Sequence, residues 1–347
     1  MYLVVAVAGL VAGLLTERLV TPSAPALGPL GRGGPGAGRA PGRRSRRRTV
    51  SRVVLVAAGA VLLGTLAALV WANSIFNRIE KVEVSDALSG GSGTNYLLVG
   101  ADNSLGGGAG REGVDGIRAD TVMVLRVSGG GATMLSLNRD LWVRNPATGQ
   151  EGRLNATYNQ GPANLVRAVT ENFGIPIERY VEIDFDSFSG LVDSLGGIDI
   201  TFANPAFDLG SGLDVPTAGT VRLDGAQALA YVRSRHYTEY IDGQPVAEGG
   251  LPDVNRTMRQ QAFLRAVMQK AATNRNPFAL LSAAERMSAG LRVDDDMTMF
   301  DAIRFALTMG RLDPRPTPLP VTPRTTSGGA QVLDLGDGAD GVLAGFR

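Results

Sequence analysis

The run VVLVAAGAVLLGTLAALVWA, from Val53 to Ala72, carries no charged residue. At ~1.5 Å rise per residue, a helix of this length matches the ~30 Å hydrocarbon core of a bilayer, so the run predicts a transmembrane helix over 53–72. Ahead of it stand Arg32, Arg39, Arg43, Arg44, Arg46, Arg47, Arg48 and Arg52, with no acid among them. A basic flank of this kind stays cytoplasmic, which places the N-terminus inside the cell and the remainder of the chain outside. The length of the run, and the distance of its basic region from the first residue, favour an uncleaved membrane anchor over a signal peptide. Residues 1–15 are a shorter apolar segment and a possible short membrane helix. Residues 16–52, rich in Pro, Gly and Arg, read as a disordered cytoplasmic segment.

The whole chain has a formal net charge of only +1, so the part beyond the arginine cluster is net acidic and offers no basis for nucleic-acid binding. Cysteine is absent, which removes disulfides, thiolate chemistry and thiolate-bound zinc. His236 is the single histidine, so a multi-histidine metal site is excluded and a Ser-His-Asp hydrolase would have to use that one ring. A metal held by this chain would sit on carboxylates, which favours Mg2+ or a similar hard cation.

Beyond a Ser/Gly-rich tether over 73–94, apolar strands are predicted at Tyr96–Gly100, Thr121–Val127 and Thr133–Asn138, with further strands at Tyr180–Phe185 and Ile198–Phe202. Helices are predicted from about Pro162 to Gly174, over Ser187–Leu195, from the cap Asp224, and over about Asn255–Asn274. In the last of these, Phe263/Val267 and Leu264/Met268 pair at i,i+4. Strands alternating with helices indicate an α/β fold, an α/β/α sandwich around a mixed central sheet. The prolines and glycines of 316–347 suggest a loosely structured C-terminal tail.

Charged residues interrupt the apolar elements in three places. Asp102 ends the strand in YLLVGADNS. Arg118 and Asp120 precede TVMVLRV, and Arg139-Asp140 follows MLSLN. Arg233 and Arg235 lie in YVRSR, with Asp253, Arg256, Arg259 and Gln260 in DVNRTMRQQ. Strand ends are where polar groups from several elements converge on a ligand. Guanidinium groups match phosphate oxygens with paired planar hydrogen bonds, and two aspartates on adjacent strand ends suit a magnesium ion bridging those oxygens. Phosphoryl transfer needs little beyond such positioning and charge neutralisation, so neither histidine nor cysteine is required. Asp140, Asp186, Asp193 and Asp199 read as turn formers, caps or surface partners, Asp224 as a cap and His236 as incidental. Gly106–Gly110 lacks the Lys-Ser/Thr ending of a phosphate loop and reads as a mobile flap.

The stretches NYLLVGADNS, GIRADTVMVLRV, MLSLNRDLWV, GRLNATYNQGP, GIPIERYVEIDFDSFSGLVDSLGGIDI, LDGAQALAYVRSR and DVNRTMRQQ resemble, in order, those of the LytR-CpsA-Psr family. The resemblance implies an extracellular catalytic domain over 95–315. Its expected activity is an Mg2+-dependent phosphotransferase moving a glycopolymer from a polyprenyl-pyrophosphate carrier onto peptidoglycan or a related wall acceptor. It implies that Asp102 and Asp120 bind magnesium, and that Arg118, Arg139, Arg233, Arg235 and Arg256 contact phosphate. Gln260 would donate a further hydrogen bond, and Asp253 would orient Arg256. Two departures stand out: Asn138 where the family has proline, and the inserted YTEYIDGQPVAEGGLP between Arg235 and Asp253, read as a lid or acceptor-binding loop. The alternatives left open are a polyprenyl-pyrophosphate hydrolase and a non-catalytic carrier-binding protein in wall assembly.

Overall fold

The computed structural model describes residues 43–91, 93–102, 118–273, 285–309 and 312–347, and the chain divides into two units, Met1–Ser74 and Ile75–Arg347. Helix α1 (Arg43–Phe76) dominates the first. Its Val54–Phe76 portion, 23 residues of mean hydropathy 2.4, is long and apolar enough to cross a membrane. Leu55, Val56, Leu62, Leu63 and Leu66 are all exposed, as expected of a helix meant for an apolar surround. The expectation of disorder up to residue 52 is corrected here, since the helix starts at Arg43. Arginine is a good helix former, and Arg43–Val53 contains neither Gly nor Pro. The predicted segment 1–15 lies outside the described residues, as does most of 16–52.

The second unit is built on a mixed seven-stranded sheet of order β1-β14-β7-β2-β3-β4-β15. The strands are β1 (Glu80–Val82), β2 (Thr94–Asp102), β3 (Arg118–Ser128), β4 (Gly131–Leu137), β7 (Arg179–Asp184), β14 (Leu291–Asp294) and β15 (Arg315–Thr317), while β5 (Trp142–Arg144) and β6 (Glu151–Arg153) pair with each other outside it. Because both faces are covered, the central strands read as continuous apolar runs rather than alternating ones. Val122, Val124, Leu135 and Leu137 face one core, and Met123, Leu125 and Met134 the other. The first face packs on the 3-10 helix Leu154–Gln160, on α2 (Pro162–Phe173) and on the C-terminal α7 (Ala339–Ala344). Residues of α5 (Pro252–Thr273) and α6 (Met299–Met309), Leu264 and Phe305, pack on the second. This is the expected α/β/α sandwich. Helix α2 has the predicted ends: Pro162 follows the cap Gly161, and Gly174 stops it at φ 67°.

A second core gathers α3 (Phe185–Ser194), α4 (Gly225–Arg233) and the strands β8 (Ile198–Phe202), β9 (Ala206–Asp208), β10 (Leu213–Val215) and β11 (Gly219–Leu223). Helix α5 serves both cores: Phe263 and Val267 point into this one, while Leu264, one residue along, packs on the sheet. The insertion after Arg235 forms a hairpin of β12 (Thr238–Ile241) and β13 (Gln244–Ala247) that adds to β9. Its two-residue turn, Asp242-Gly243, takes φ 52° and 77°, the conformation that an Asp-Gly pair favours.

Two boundaries differ from expectation. The tether over 73–94 contains β1 and buries Val82, Val84 and Ala87. The tail 316–347 is folded: β15 extends the main sheet, β16 (Val321–Thr325) pairs with β17 (Gln331–Leu335), and Leu343 and Phe346 are buried in the main core. Pro316 and Pro323 sit in short edge strands, where a missing N–H costs little. Replacing Phe346 with alanine should therefore lower the unfolding free energy by about 3–5 kcal/mol, measured by urea denaturation of the full chain; a loose tail would show no change.

Candidate active site

Strand register brings four chain segments to one edge of the main sheet. Asp102, ending β2, lies opposite Arg118, which begins β3. Leu137, ending β4, lies opposite Val122, so Asn138 and Arg139 leave the sheet at the same edge. β7 runs parallel to β2 and ends with Asp184 beside Ala101. Between β2 and β3 the register jumps from Gly100↔Thr121 to Ala101↔Ala119, skipping Asp120. Such an irregularity re-aims side chains, and Ala119 accordingly joins the same core as Val122, three residues on, where strict alternation would set them on opposite faces.

Asp120 Oδ1 accepts from Arg139 Nη1 at 2.6 Å. Arg139 Nε also lies 3.5 Å from Asp140 Oδ2 and 3.7 Å from Asp253 Oδ1. Asp253, in the first turn of α5, receives Arg235 Nη2 on Oδ2 at 2.7 Å and has Arg256 Nη2 3.1 Å from Oδ1. Arg256 reaches on to the backbone carbonyl of Asp120 at 3.4 Å. Asp140 extends the set to Arg153 Nε at 3.1 Å, and Arg153 in turn donates to the carbonyl of Gln331 in β17. Four guanidinium groups thus face three carboxylates, an excess of one positive charge. Asn138 is buried, and its amide donates to Thr257 on α5 at 3.5 Å, tying the strand exit to the helix that carries Asp253 and Arg256.

Burial sets the electrostatics. Arg256 is 5% exposed, and desolvation pulls its pKa down to about 10, with Asp253 resisting and Arg139 and Arg235 adding to the shift. It remains a cation at neutral pH. Desolvation works against the Arg139 charge too, but the charge and hydrogen bond of Asp120, with Asp253 and Asp140, raise its pKa above the ordinary arginine value. For Asp253, burial opposes ionisation, and Arg256, Arg235 and Arg139 outweigh it, holding the carboxyl below its usual range. The buried Nε atoms of Arg139 and Arg256 and Oδ1 of Asp253 lack hydrogen-bond partners. An unsatisfied buried donor costs ~1–3 kcal/mol, more when charged, so the network carries polar capacity that its own residues do not fill.

The structure therefore joins Asp120, Arg139, Arg235, Asp253 and Arg256. It pairs the backbones of Asp102 and Arg118, whose side chains lie outside the described set, as does the Gly106–Gly110 flap. Arg233 stands apart, exposed, with its guanidinium 4.8 Å from the ring of Phe185, the residue that follows Asp184. Gln260, one turn beyond Arg256, donates to the carbonyl of Val232 at 3.1 Å, tying α5 to α4 rather than to the arginine network. His236 enters only through its backbone N–H, bonded to Asp208. Sequence reading passed over Arg153, Asp208 and the role of Arg259. The one signal for Arg259 was its place on the helix of Arg256.

Among the described residues no three acids or histidines cluster tightly enough to cage a metal ion. The donor chemistry instead fits a hard cation shared between one or two carboxylates and substrate phosphates. Asp120 gives Oδ1 to Arg139, and such an ion would be held through its other oxygen. Asp102 ends the neighbouring strand β2 at the same edge.

The sequence model of the LytR_cpsA_psr family matches residues 70–311. The chain is 32% identical over 275 residues to a probable cell wall biosynthesis protein, LcpB, of Corynebacterium glutamicum, covering 75% of this chain and 61% of that protein. It is 31% identical over 212 residues to a polyisoprenyl-teichoic acid–peptidoglycan teichoic acid transferase, TagU, of Enterococcus faecalis, covering 58% and 62%. The chain thus spans less than two thirds of the length of these relatives. Among solved structures, a LytR-Csp2A-Psr enzyme from Actinomyces oris superposes with a TM-score of 0.64 at 27% identity, over 78% of this chain and 96% of that one. TagT bound to LIIa-WTA shares the fold, with a TM-score of 0.56 at 22% identity, over 74% and 89%.

The depressed Asp253 pKa fixes a pH dependence. A carboxyl with a lowered folded-state pKa contributes stability that is fully present above its unfolded value and lost as pH falls through the folded value. Asp253→Asn should cost about 3 kcal/mol near neutrality, the low end for losing one partner of a buried ion pair. The gap from wild type should close as urea titrations are taken below a pH of about 4. A gap independent of pH would contradict this assignment.

Proposed function

The chain belongs to the LytR-CpsA-Psr family, and from that premise we propose that it is a membrane-anchored phosphotransferase moving a glycopolymer from a polyprenyl-pyrophosphate carrier onto a peptidoglycan hydroxyl. The observation that carries the reading is the convergence of Arg139, Arg235 and Arg256 on one carboxylate at the sheet edge, with buried N–H groups left unpaired. A diphosphate supplies the oxygens that such groups lack. The names of the relatives, a teichoic acid transferase and a cell wall biosynthesis protein, support the same class of substrate and acceptor.

In this reading the acceptor oxygen attacks the phosphorus that bears the glycan. The new bond joins acceptor oxygen to phosphorus, the bridging P–O bond breaks, polyprenyl phosphate leaves, and the acceptor proton passes to solvent. Arg139 and Arg256 neutralise the phosphate oxygens, with Arg235 joining them from the segment after α4. Arg118 and Arg233 are assigned to the same diphosphate, Arg118 from the start of β3 and Arg233 from beside Phe185. Asp253 orients the three arginines it touches and, held below the usual carboxylate range, is a poor proton acceptor. Gln260 fixes the spacing of α4 and α5. Asp102 and Asp120 would hold Mg2+, which when bound supplies charge neutralisation at the phosphate oxygens. The arginine-rich N-terminal flank lies in the cytoplasm and the folded unit outside the cell.

Arg139→Ala and Asp120→Ala should each lower release of polyprenyl phosphate from a short-chain donor by about 10²–10³-fold, the loss typical of one transition-state donor. Chelation with EDTA should abolish turnover, and added Mg2+ should restore it. Full activity in both variants would overturn the assignment, and activity indifferent to EDTA would remove the metal from it.

A further inference from the structure

Arg235 reaches the network from a segment that no helix or strand holds. Helix α4 ends at Arg233 and β12 begins at Thr238, and side chains fix much of the backbone between them. One carboxylate does most of this. Asp208 Oδ2 accepts from the hydroxyl of Ser234 at 2.7 Å, from the N–H of Arg235 at 2.9 Å and from the N–H of His236 at 2.8 Å. Its Oδ1 accepts from the N–H groups of Gly210 at 2.8 Å and Ser211 at 3.3 Å. Asp208 is 1% exposed, and among the described residues no cation pairs with it. Burial works against its charge, yet the donors of Ser234, His236, Gly210 and Arg235 keep the carboxyl below its usual range.

The opposite edge of the segment is held as firmly. Arg259 Nη2 donates to the carbonyl of Ser234 at 2.7 Å. The same guanidinium lies 4.9 Å over the ring of Tyr237 and pairs with Glu248 at the foot of the inserted hairpin. Sustaining a buried, cation-free carboxylate is costly unless its donors satisfy it. Here three of the five donors belong to three consecutive residues, and the middle one is Arg235.

We propose that Asp208 is a positioning residue of the phosphotransfer site, acting through Arg235. By gathering Ser234, Arg235 and His236 on one oxygen it sets where the Arg235 side chain departs, so that the guanidinium, 41% exposed and otherwise free to wander, meets Asp253 Oδ2 at 2.7 Å. The proposal rests on the reading of the site given above. A neutral aspartic acid or an asparagine cannot serve all five donors, because replacing one carboxylate oxygen with N–H₂ or O–H sets donor against donor.

A double-mutant cycle tests it, with Asp208→Asn, Arg235→Ala and the pair assayed on the full chain with a short-chain polyprenyl-pyrophosphate-linked saccharide. Asp208→Asn should lower kcat/KM by about 10–10²-fold, the scale of an ångström-level misplacement. In the Arg235→Ala background the same substitution should cost less than twofold. Losses that multiply overturn the proposal, because Asp208 would then act independently of Arg235. The Arg235 Nε–H resonance, assigned by its disappearance in Arg235→Lys, should shift or broaden in Asp208→Asn. An unmoved resonance also overturns the proposal. If wild type shows no turnover, the functional reading has failed, and the resonance alone decides whether Asp208 positions Arg235. Should Asp208→Asn not fold, Ser234→Ala removes one of the three donors and should give a smaller loss that likewise vanishes without Arg235.

Discussion

Three guanidinium groups drawn from distant stretches of chain repel one another, and in this protein the Asp253 carboxylate is what keeps them in one small volume. Arg139 leaves the end of a strand, Arg235 follows a helix, and Arg256 sits one turn along from Asp253 itself. Without that carboxylate the buried Arg256 would face two like charges across a poorly solvating medium. The balance is deliberately incomplete. Acids neutralise most of the positive charge, yet the buried Nε–H groups of Arg139 and Arg256 remain without hydrogen-bond partners. The same arrangement limits what Asp253 can do. A carboxyl surrounded by three cations gives up its proton readily and takes one back poorly, which suits an organiser better than a base.

The sheet makes this volume possible. β2 and β3 are antiparallel, as are β3 and β4, and β7 runs parallel to β2, so the end of β2, the start of β3, the end of β4 and the end of β7 all fall on one edge. The skipped residue at Asp120 then turns one more carboxylate toward Arg139. Helix α5 closes the site from above because two adjacent stripes of its surface are apolar, one fitting the sheet and one fitting the smaller core. Its N-terminal end, which bears Asp253 and, one turn on, Arg256, thereby meets the sheet edge at Asp120 and Arg139. The folded C-terminal segment adds a brace: Leu333 of β17 donates to the carbonyl of Asp140, and Arg153 links Asp140 to Gln331.

Features decided by neighbours in sequence were legible without coordinates. The Gly161-Pro162 start and Gly174 stop of α2, the Asp224 cap of α4 and the apolar strands all depend on local chemistry, and they appear where expected. Arg139, Arg235, Asp253 and Arg256 were also legible, because charges at the ends of apolar elements have few reasons to be there. What escaped was decided by distant contacts. The skipped register at Asp120 depends on the pairing of β2 with β3, which no single strand announces. Asp208 reads as one acid in a glycine-rich turn, and only the approach of Ser234–His236 from 26–28 residues away gives it a task. The tail was misjudged because its prolines and glycines outweighed the apolar Leu333, Leu343 and Phe346. Yet edge strands and tight turns tolerate that composition as well as disorder does.

The inserted hairpin shows how such distant contacts reach the chemistry. Its Asp-Gly turn and its pairing with β9 make it an ordered ribbon that extends a sheet. At its foot Arg259 binds Glu248, lies over Tyr237 and donates to Ser234, the residue just before Arg235. Helix α5 therefore grips the insertion through Arg259 and the charged network at the sheet edge through Arg256, one turn apart on the same rod. The ribbon is thus tied to β9 by its own pairing and to Ser234 through Arg259, and Ser234 is held in turn by Asp208.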